Sequence, residues 1–380
     1  MRLSDEFSPA RWWGMVLKEF LQLRRDRLTF AMIIGIPLAQ LALFGFAINT
    51  DPKQMPMAII SADGSDITRT IISTMKGSGY FRIVGELPSE EAGRRALAQG
   101  EVLFVLTIPA GFTRSLLRGE HPSLLLEADA TDPTATGMAL ASVTQLSHSV
   151  SVKDLTGPLA ALAGGEPPFR ILVHRLYNPE GISSYNIVPG IMGVILTLMM
   201  VLMTGLAITR ERERGTMENL LAMPVRPLEV MTGKLVPYIA IGMIQSTIIF
   251  LAARLIFNVP FTGSVVTMYL AAFLFVIANL TVGMTISSLA QNQLQAMQLT
   301  MFYFLPNMLL SGFMFPFHGM PRWAQILGNL LPLTYFNRLI RGIFLKGSTL
   351  PLLWPNIWPL LLFTLIMMAI AVKFYRKTLD

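Results

Sequence analysis

One short charged stretch has residue types and spacing suited to transmitting a contact. It reads Arg210-Glu-Arg-Glu-Arg-Gly-Thr-Met-Glu-Asn-Leu-Leu-Ala-Met-Pro224 and directly follows an apolar run. The apolar run can continue as a charged helix to Arg214, with pairs such as Arg210 and Glu213 three residues apart on one face. Gly215 permits a break, Thr216 caps a new short helix, and Pro224 stops it. Leu220 and Leu221 give that helix an apolar tip. A rigid polar helix with an apolar tip is something a partner groove can grip; a solvated connector has the same spacing. Reaction chemistry is far less evident. There is no Cys, and the four His (His121, His148, His174, His318) are scattered without metal-ligand spacing. No G-x-x-x-x-G-K-[ST] string occurs to cradle a phosphate; Gly77-Ser78-Gly79 and Gly164-Gly165 are turn glycines.

The elements that carry this stretch are set by composition. Apolar residues make up 53% of the 380 and charged residues only 14%, well under the roughly 25% of soluble domains. That composition describes a polytopic membrane protein and excludes disordered, collagenous and disulfide-stapled classes. About 20 apolar residues cross a bilayer as a helix, and six stretches qualify: Leu28 to Ile48, Ile187 to Thr209, Leu235 to Phe257, Val265 to Leu289, Met297 to Phe317 and Leu352 to Val372. The first is too long for a signal-peptide core and is expected to remain as an anchor.

Basic residues orient the spans. Segment 1–27, loop 210–234 and the tail carry fourteen Lys and Arg, whereas on the opposite side loop 258–264 carries none and 318–351 carries four: Arg322, Arg338, Arg341 and Lys346. Both termini are therefore expected in the cytoplasm. The net charge of +7 reflects this bias and does not point to nucleic acid. Trp12, Trp13, Val16, Leu17, Phe20 and Leu21 make a stripe over Ser8 to Arg27, which is expected to lie as a helix on the membrane interface.

Residues 49–186 differ in character, with 11 basic and 14 acidic residues. Strands are expected at Pro56 to Ser61, Arg82 to Gly85, Val102 to Ile108, Leu124 to Glu127 and Phe169 to Leu176. Helices are expected at Asp66 to Met75, Ser89 to Gln99 and within Pro133 to Asp154, and a Gly/Pro loop at Gly157 to Pro168. This alternation predicts an extracytoplasmic α/β domain between the first two spans. Residues 318–346 are apolar but broken by Pro332, which predicts a pair of short helices dipping into the outer leaflet. Arg338 and Arg341 are then expected to snorkel to headgroups, as is Arg254 near the end of its span. Gln245, Asn279 and Asn307 sit deeper and either join helices or line a path; the structural role is favoured. Many of the 24 Met, including Met199 and Met203, suit either promiscuous apolar surface or ordinary packing. Pro37 and Pro306 predict kinks.

The order of motifs resembles the ABC-2 type transporter permeases. Glu213-Arg-Gly-Thr-Met-Glu-Asn-Leu is similar to their E-x-G-T-x-E-x-L signature. Asn292-Gln293, Leu310-Ser311-Gly312-Phe313-Met314-Phe315-Pro316, Met320-Pro321 and Leu331-Pro332-Leu333-Thr334-Tyr335-Phe336 follow in family order. The resemblance, to the bacterial drug-efflux branch, covers essentially the whole chain. It implies six spans and a coupling helix at about 211–224 that docks on an ATPase subunit. The coupling residues would be Glu213, Gly215, Thr216, Glu218 and Leu220, flanked by Glu211 and Leu221. It also implies a second permease. ATP and Mg are expected on the ATPase, and this chain is expected to bind no cofactor. A periplasmic adaptor is the expected contact of the outer domain, unless that domain shapes the exit. The expected activity is export of amphipathic drugs or lipid-like compounds by alternating access. The alternatives are an exporter of a lipid-linked glycan or other envelope lipid, and an anchored scaffold or sensor. A membrane enzyme is disfavoured, because no acid/base pair or nucleophile constellation lies in the spans.

Overall fold

A computed structural model describes residues 53–213 and 227–379, apart from 134, 135, 138, 142 and 144–168. The interfacial helix, the span Leu28 to Ile48 with Pro37, most of Pro133 to Asp154, the loop Gly157 to Pro168 and residues 214–226 lie outside the described residues.

The first unit is a five-stranded sheet in the order β2-β1-β3-β4-β5. Its strands are β1 (Met55–Ser61), β2 (Phe81–Glu86), β3 (Phe104–Ile108), β4 (Ser123–Asp129) and β5 (Arg170–Leu176). β1 runs parallel to β2 and β3, β3 pairs antiparallel with β4, and β4 runs parallel to β5. Parallel neighbours need crossovers. Helix α1 (Asp66–Gly77) supplies the one between β1 and β2, and α2 (Glu90–Gln99) carries the chain from β2 past β1 to β3. Ser65 caps α1 by accepting from the Thr68 amide, and Ser89 caps α2 through Ala92. Gly100 closes α2 at a left-handed φ of 73°, a conformation that suits glycine. Both faces of β3 are buried, which explains its continuous apolar run. Met57, Phe104, Leu106, Leu126, Ile71 and Met75 fill one face, and Ala58, Val105, Ala96 and Leu97 the other. A short helix α3 (Phe112–Leu117) adds Phe112 and Leu116 to the first face; six residues with two apolar anchors gave no periodic signal.

The second unit is helical. It comprises α4 (Ser183–Glu213), α5 (Pro227–Leu255), α6 (Val265–Leu289), α7 (Gln293–Leu310), α8 (Arg322–Gly328), α9 (Pro332–Arg341) and α10 (Leu350–Leu379). Among the described residues, four helical stretches are long and apolar enough to cross a membrane: Ser183–Ala207, Leu235–Leu255, Val265–Leu289 and Leu350–Phe374. The first and third are 56% buried within the protein, the second and fourth only 17%. α4 and α6 are therefore the inner pair, and α5 and α10 face outward. Gly283 lets α4 approach α6: a Cβ there would stand 1.8 Å from the Thr204 hydroxyl oxygen and 2.8 Å from the Val201 carbonyl. Met192, Leu196 and Met200 of α4 share a core with Phe275 of α6, Phe336 and Leu339 of α9 and Leu360 of α10. Phe275 and Phe336 stack with centroids 4.1 Å apart.

α7 departs from the expected span Met297 to Phe317. It starts earlier, because Asn292 caps it by accepting from the Gln295 amide, and it stops at Leu310. Gly312 then adopts φ 77° and turns the chain into a 3-10 turn at Phe317–Gly319. Eighteen residues at 1.5 Å rise give about 27 Å, just short of the roughly 30 Å hydrocarbon core. Pro332 occupies the first turn of α9, where its missing N–H costs nothing, and so divides the segment into α8 and α9. A π turn at Gly342–Lys346 ends α9.

Candidate functional site

Two places gather polar side chains into defined geometry. The first is the charged end of α4. Its helix continues beyond the apolar stretch to Glu213, whose carboxylate accepts from the Gln293 amide at 2.7 Å and from Gln293 Nε2. Gln293 is the first residue of α7, so an anion sits on unsatisfied N–H groups at the positive end of a helix. The Gln293 amide, then its side chain, hold the Glu213 carboxyl below its usual range. Gln295, nearly inaccessible, locks the same turn by accepting from the Gln291 amide at 2.9 Å. The pairing expected between Arg210 and Glu213 thus gives way to a tie between α4 and α7. Sequence reasoning singled out both Glu213 and Asn292-Gln293 without joining them; an acid on one helix end and a capping Asn on another was the available signal. Glu211 lies within α4. Gly215, Thr216, Glu218, Leu220 and Leu221 lie outside the described residues.

The second place is the junction between sheet and helices. Lys346, in the π turn, donates to Asp129 Oδ2 at 2.6 Å and to the Leu97 carbonyl at 2.9 Å. Both side chains are buried, at 9% and 2% exposure. The ammonium also lies 5.2 Å from the Tyr177 ring centroid. Burial, then Asp129 and Glu127, push the Tyr177 phenol up to about 12. Tyr177 has φ 68°, a strained value for a bulky residue, in the turn that leads from β5 to α4. Asn178 closes that turn by exchanging hydrogen bonds with Ile182 at 2.9 and 3.0 Å. Beside it, Arg341 donates to Asn186 Oδ1 at 2.7 Å and to the Gly312 carbonyl at 3.1 Å, and Asn186 donates to the Thr131 carbonyl at 2.8 Å.

For Arg341 this arrangement replaces the expected snorkelling with ties inside the protein. Arg341 ties α9 to α4 and to the turn after α7. Arg338 lies 4.6 Å over the Phe317 ring and donates to Asn329 at 3.4 Å. The polar face of α9 is half-buried, while Leu333, Phe336, Leu339 and Ile340 form its core face. Arg254 is exposed and donates to the Val259 carbonyl at 3.1 Å, which caps the end of α5.

The suggested path residues are spread over four helices, α4 to α7. Met199 is part-exposed on α4, and Met203 packs against the helical core. Asn279 and Asn307, both inaccessible, donate to the carbonyls of Phe275 and Tyr303 one turn back in their own helices. Their amide oxygens, and that of Gln245, are buried without a partner among the described residues. No hydrogen bond joins any two of the five.

Residues 27–373 match the ABC-2 family transporter protein family. The chain is 28% identical to the "Probable multidrug ABC transporter permease YbhR" of Escherichia coli K12, over 97% of this chain and 98% of that one. It is also 28% identical to the same organism's "Probable multidrug ABC transporter permease YbhS", over 96% and 94%. It is 22% identical to "ABC transporter G family member 20" of Dictyostelium discoideum, over 87% of this chain and 45% of that longer protein.

Proposed function

Because the chain belongs to the ABC-2 transporter family, we propose that it is the membrane permease subunit of an ATP-driven exporter, with hydrolysis on a separate ATPase subunit. Its cargo is amphipathic drugs or lipid-like compounds, moved out of the cytoplasm or inner leaflet by alternating access. The observation that carries this reading is the tie between Glu213 and the start of α7. It lies immediately before Gly215 to Leu221, the segment proposed to grip the ATPase. A push on that segment reaches two helices at once, because Glu213 binds the end of one to the beginning of the other. Six spans follow if α7 and Leu28 to Ile48 join the four apolar helices. Two permeases then pair around two ATPases, since one bundle has one coupling helix. The spans carry few charges, which suits apolar or amphipathic cargo better than ions. The α/β unit lies on the outer side, where an adaptor meets it.

The test is Glu218→Arg and Leu220→Asp, each in a chain co-expressed with its ATPase. A charge placed unpaired in a desolvated contact costs roughly 3–5 kcal/mol. The expected result is normal permease abundance with lost ATPase co-purification or lost cargo-stimulated hydrolysis. Normal co-purification and stimulation in both variants rules out the coupling assignment.

A further inference from the structure

Between the sheet unit on one side and α9, the π turn and the start of α10 on the other lies a cavity of about 330 Å³. Arg338 and Arg341 line it. They stand three residues apart on α9 and so share one face. Among the described residues, both guanidinium groups are matched to neutral groups: Asn329 and the Phe317 ring for one, Asn186 and the Gly312 carbonyl for the other. Arg341 Nε is buried with no partner among the described residues. Two guanidinium forks offer ten N–H donors, and the three hydrogen bonds described here use few of them. The acids of the cavity do not remove this surplus at contact range. Asp129 is taken by Lys346. Asp132 acts on Arg341 through space and makes an interaction of its own. Glu101 is exposed.

We propose that this cavity binds the acidic head, phosphate or carboxylate, of a single amphiphile between Arg338 and Arg341. A guanidinium fork matches the two oxygens of either group, and a partly buried one gains most from an ionic partner. The volume falls within the range of small-ligand pockets. The tail has somewhere to go. Phe317, Pro316 and Pro355 give the cavity an apolar wall. Just outside it in the chain, Trp323, Ile326, Leu330 and Trp354 are exposed at 41, 64, 65 and 57%. A charged pocket with an apolar wall, and with exposed apolar residues near it in the chain, fits a molecule with an anionic head and a hydrocarbon tail better than a free anion.

The test reads binding directly and needs no ATPase, so its outcome is separate from that of the coupling reading. The full chain, purified in dodecyl maltoside, is titrated with dodecyl phosphate and with inorganic phosphate, and adducts are counted by native mass spectrometry. One saturable dodecyl phosphate per chain is expected, with inorganic phosphate at least about tenfold weaker. Arg338→Gln is expected to weaken dodecyl phosphate about tenfold or more, the loss of one charge-assisted pair. Arg338→Lys, which keeps the charge and loses the fork, should fall between. Arg341→Gln also removes a tie to α4, so Arg338 carries the comparison. Its fold is checked by the melting temperature without ligand, and Arg338→Lys replaces Arg338→Gln if that temperature drops. Displacement by phosphatidylglycerol in nanodiscs identifies a resident lipid, and resistance to it an amphiphile from solution; both agree with the proposal. Binding unaltered in a normally melting Arg338 variant overturns it, as does inorganic phosphate binding as tightly as dodecyl phosphate.

Discussion

Lys346 and Asp129 show how a charge pair inside a junction acts as a clamp. Both are desolvated, so neither charge is stable alone. Lys346→Met leaves a buried carboxylate and should cost about 3–5 kcal/mol, whereas adding Asp129→Leu should recover much of it. Thermal melting of the purified chain, single variants against the double, checks this; a double variant worse than either single would show that the pair is no clamp. Asp63 supplies a pH dependence. Its carboxylate accepts from the Thr113 amide at 2.7 Å and the Ser65 amide at 3.1 Å, and the Thr113 bond leads in holding its pKa below the usual value. A depressed folded pKa contributes stability above the unfolded pKa, and that contribution is lost as pH falls through the folded one. The acid limb of melting temperature against pH should therefore flatten in Asp63→Asn, and identical limbs would remove Asp63 from the account.

Among the elements, α4 and α6 have the least room. Gly283 sits where a methyl group would meet the Thr204 hydroxyl and the Val201 carbonyl. Gly283→Ala should cost about 1–3 kcal/mol through forced separation of the two helices. Loss of melting temperature in detergent would show it, and Thr204→Ser, which keeps the hydroxyl, is not expected to relieve it. α7 illustrates the opposite case, an element whose limits come from its ends. Asn292 starts it and Gly312 ends it, so the apolar count alone placed it too late in the chain.

The whole molecule joins a sheet unit to a helical unit through the turn at 177–182, the Lys346 clamp and the chain of Arg341, Asn186 and Thr131. The sheet unit is therefore expected to move with α9 and the π turn rather than to swing freely. The expected sidedness is checked by reporters, one fused after Asp380 reading cytoplasmic and one inserted near Gly164 reading extracytoplasmic. Both reporters on one side would end the six-span reading.

Membrane character, the strand and helix alternation of the first unit, the break at Pro332 and the family motifs were all legible in the sequence. Each is local: an apolar run of about 20 residues, a capping serine or a proline acts through its chain neighbours. The strands expected at Pro56 to Ser61 and Phe169 to Leu176 run within a residue of those limits in the structure, at Met55–Ser61 and Arg170–Leu176. What only the tertiary structure decided was which distant polar groups meet. Glu213 meets Gln293 across 80 positions, Lys346 meets Asp129 across 217, and Arg341 meets Asn186 across 155. Arg338 and Arg341 looked like membrane-edge residues because an arginine among apolar neighbours usually reaches for water. The partners of Arg341, Asn186 and Gly312, are remote in the chain, and which surfaces pack together is not encoded by local spacing.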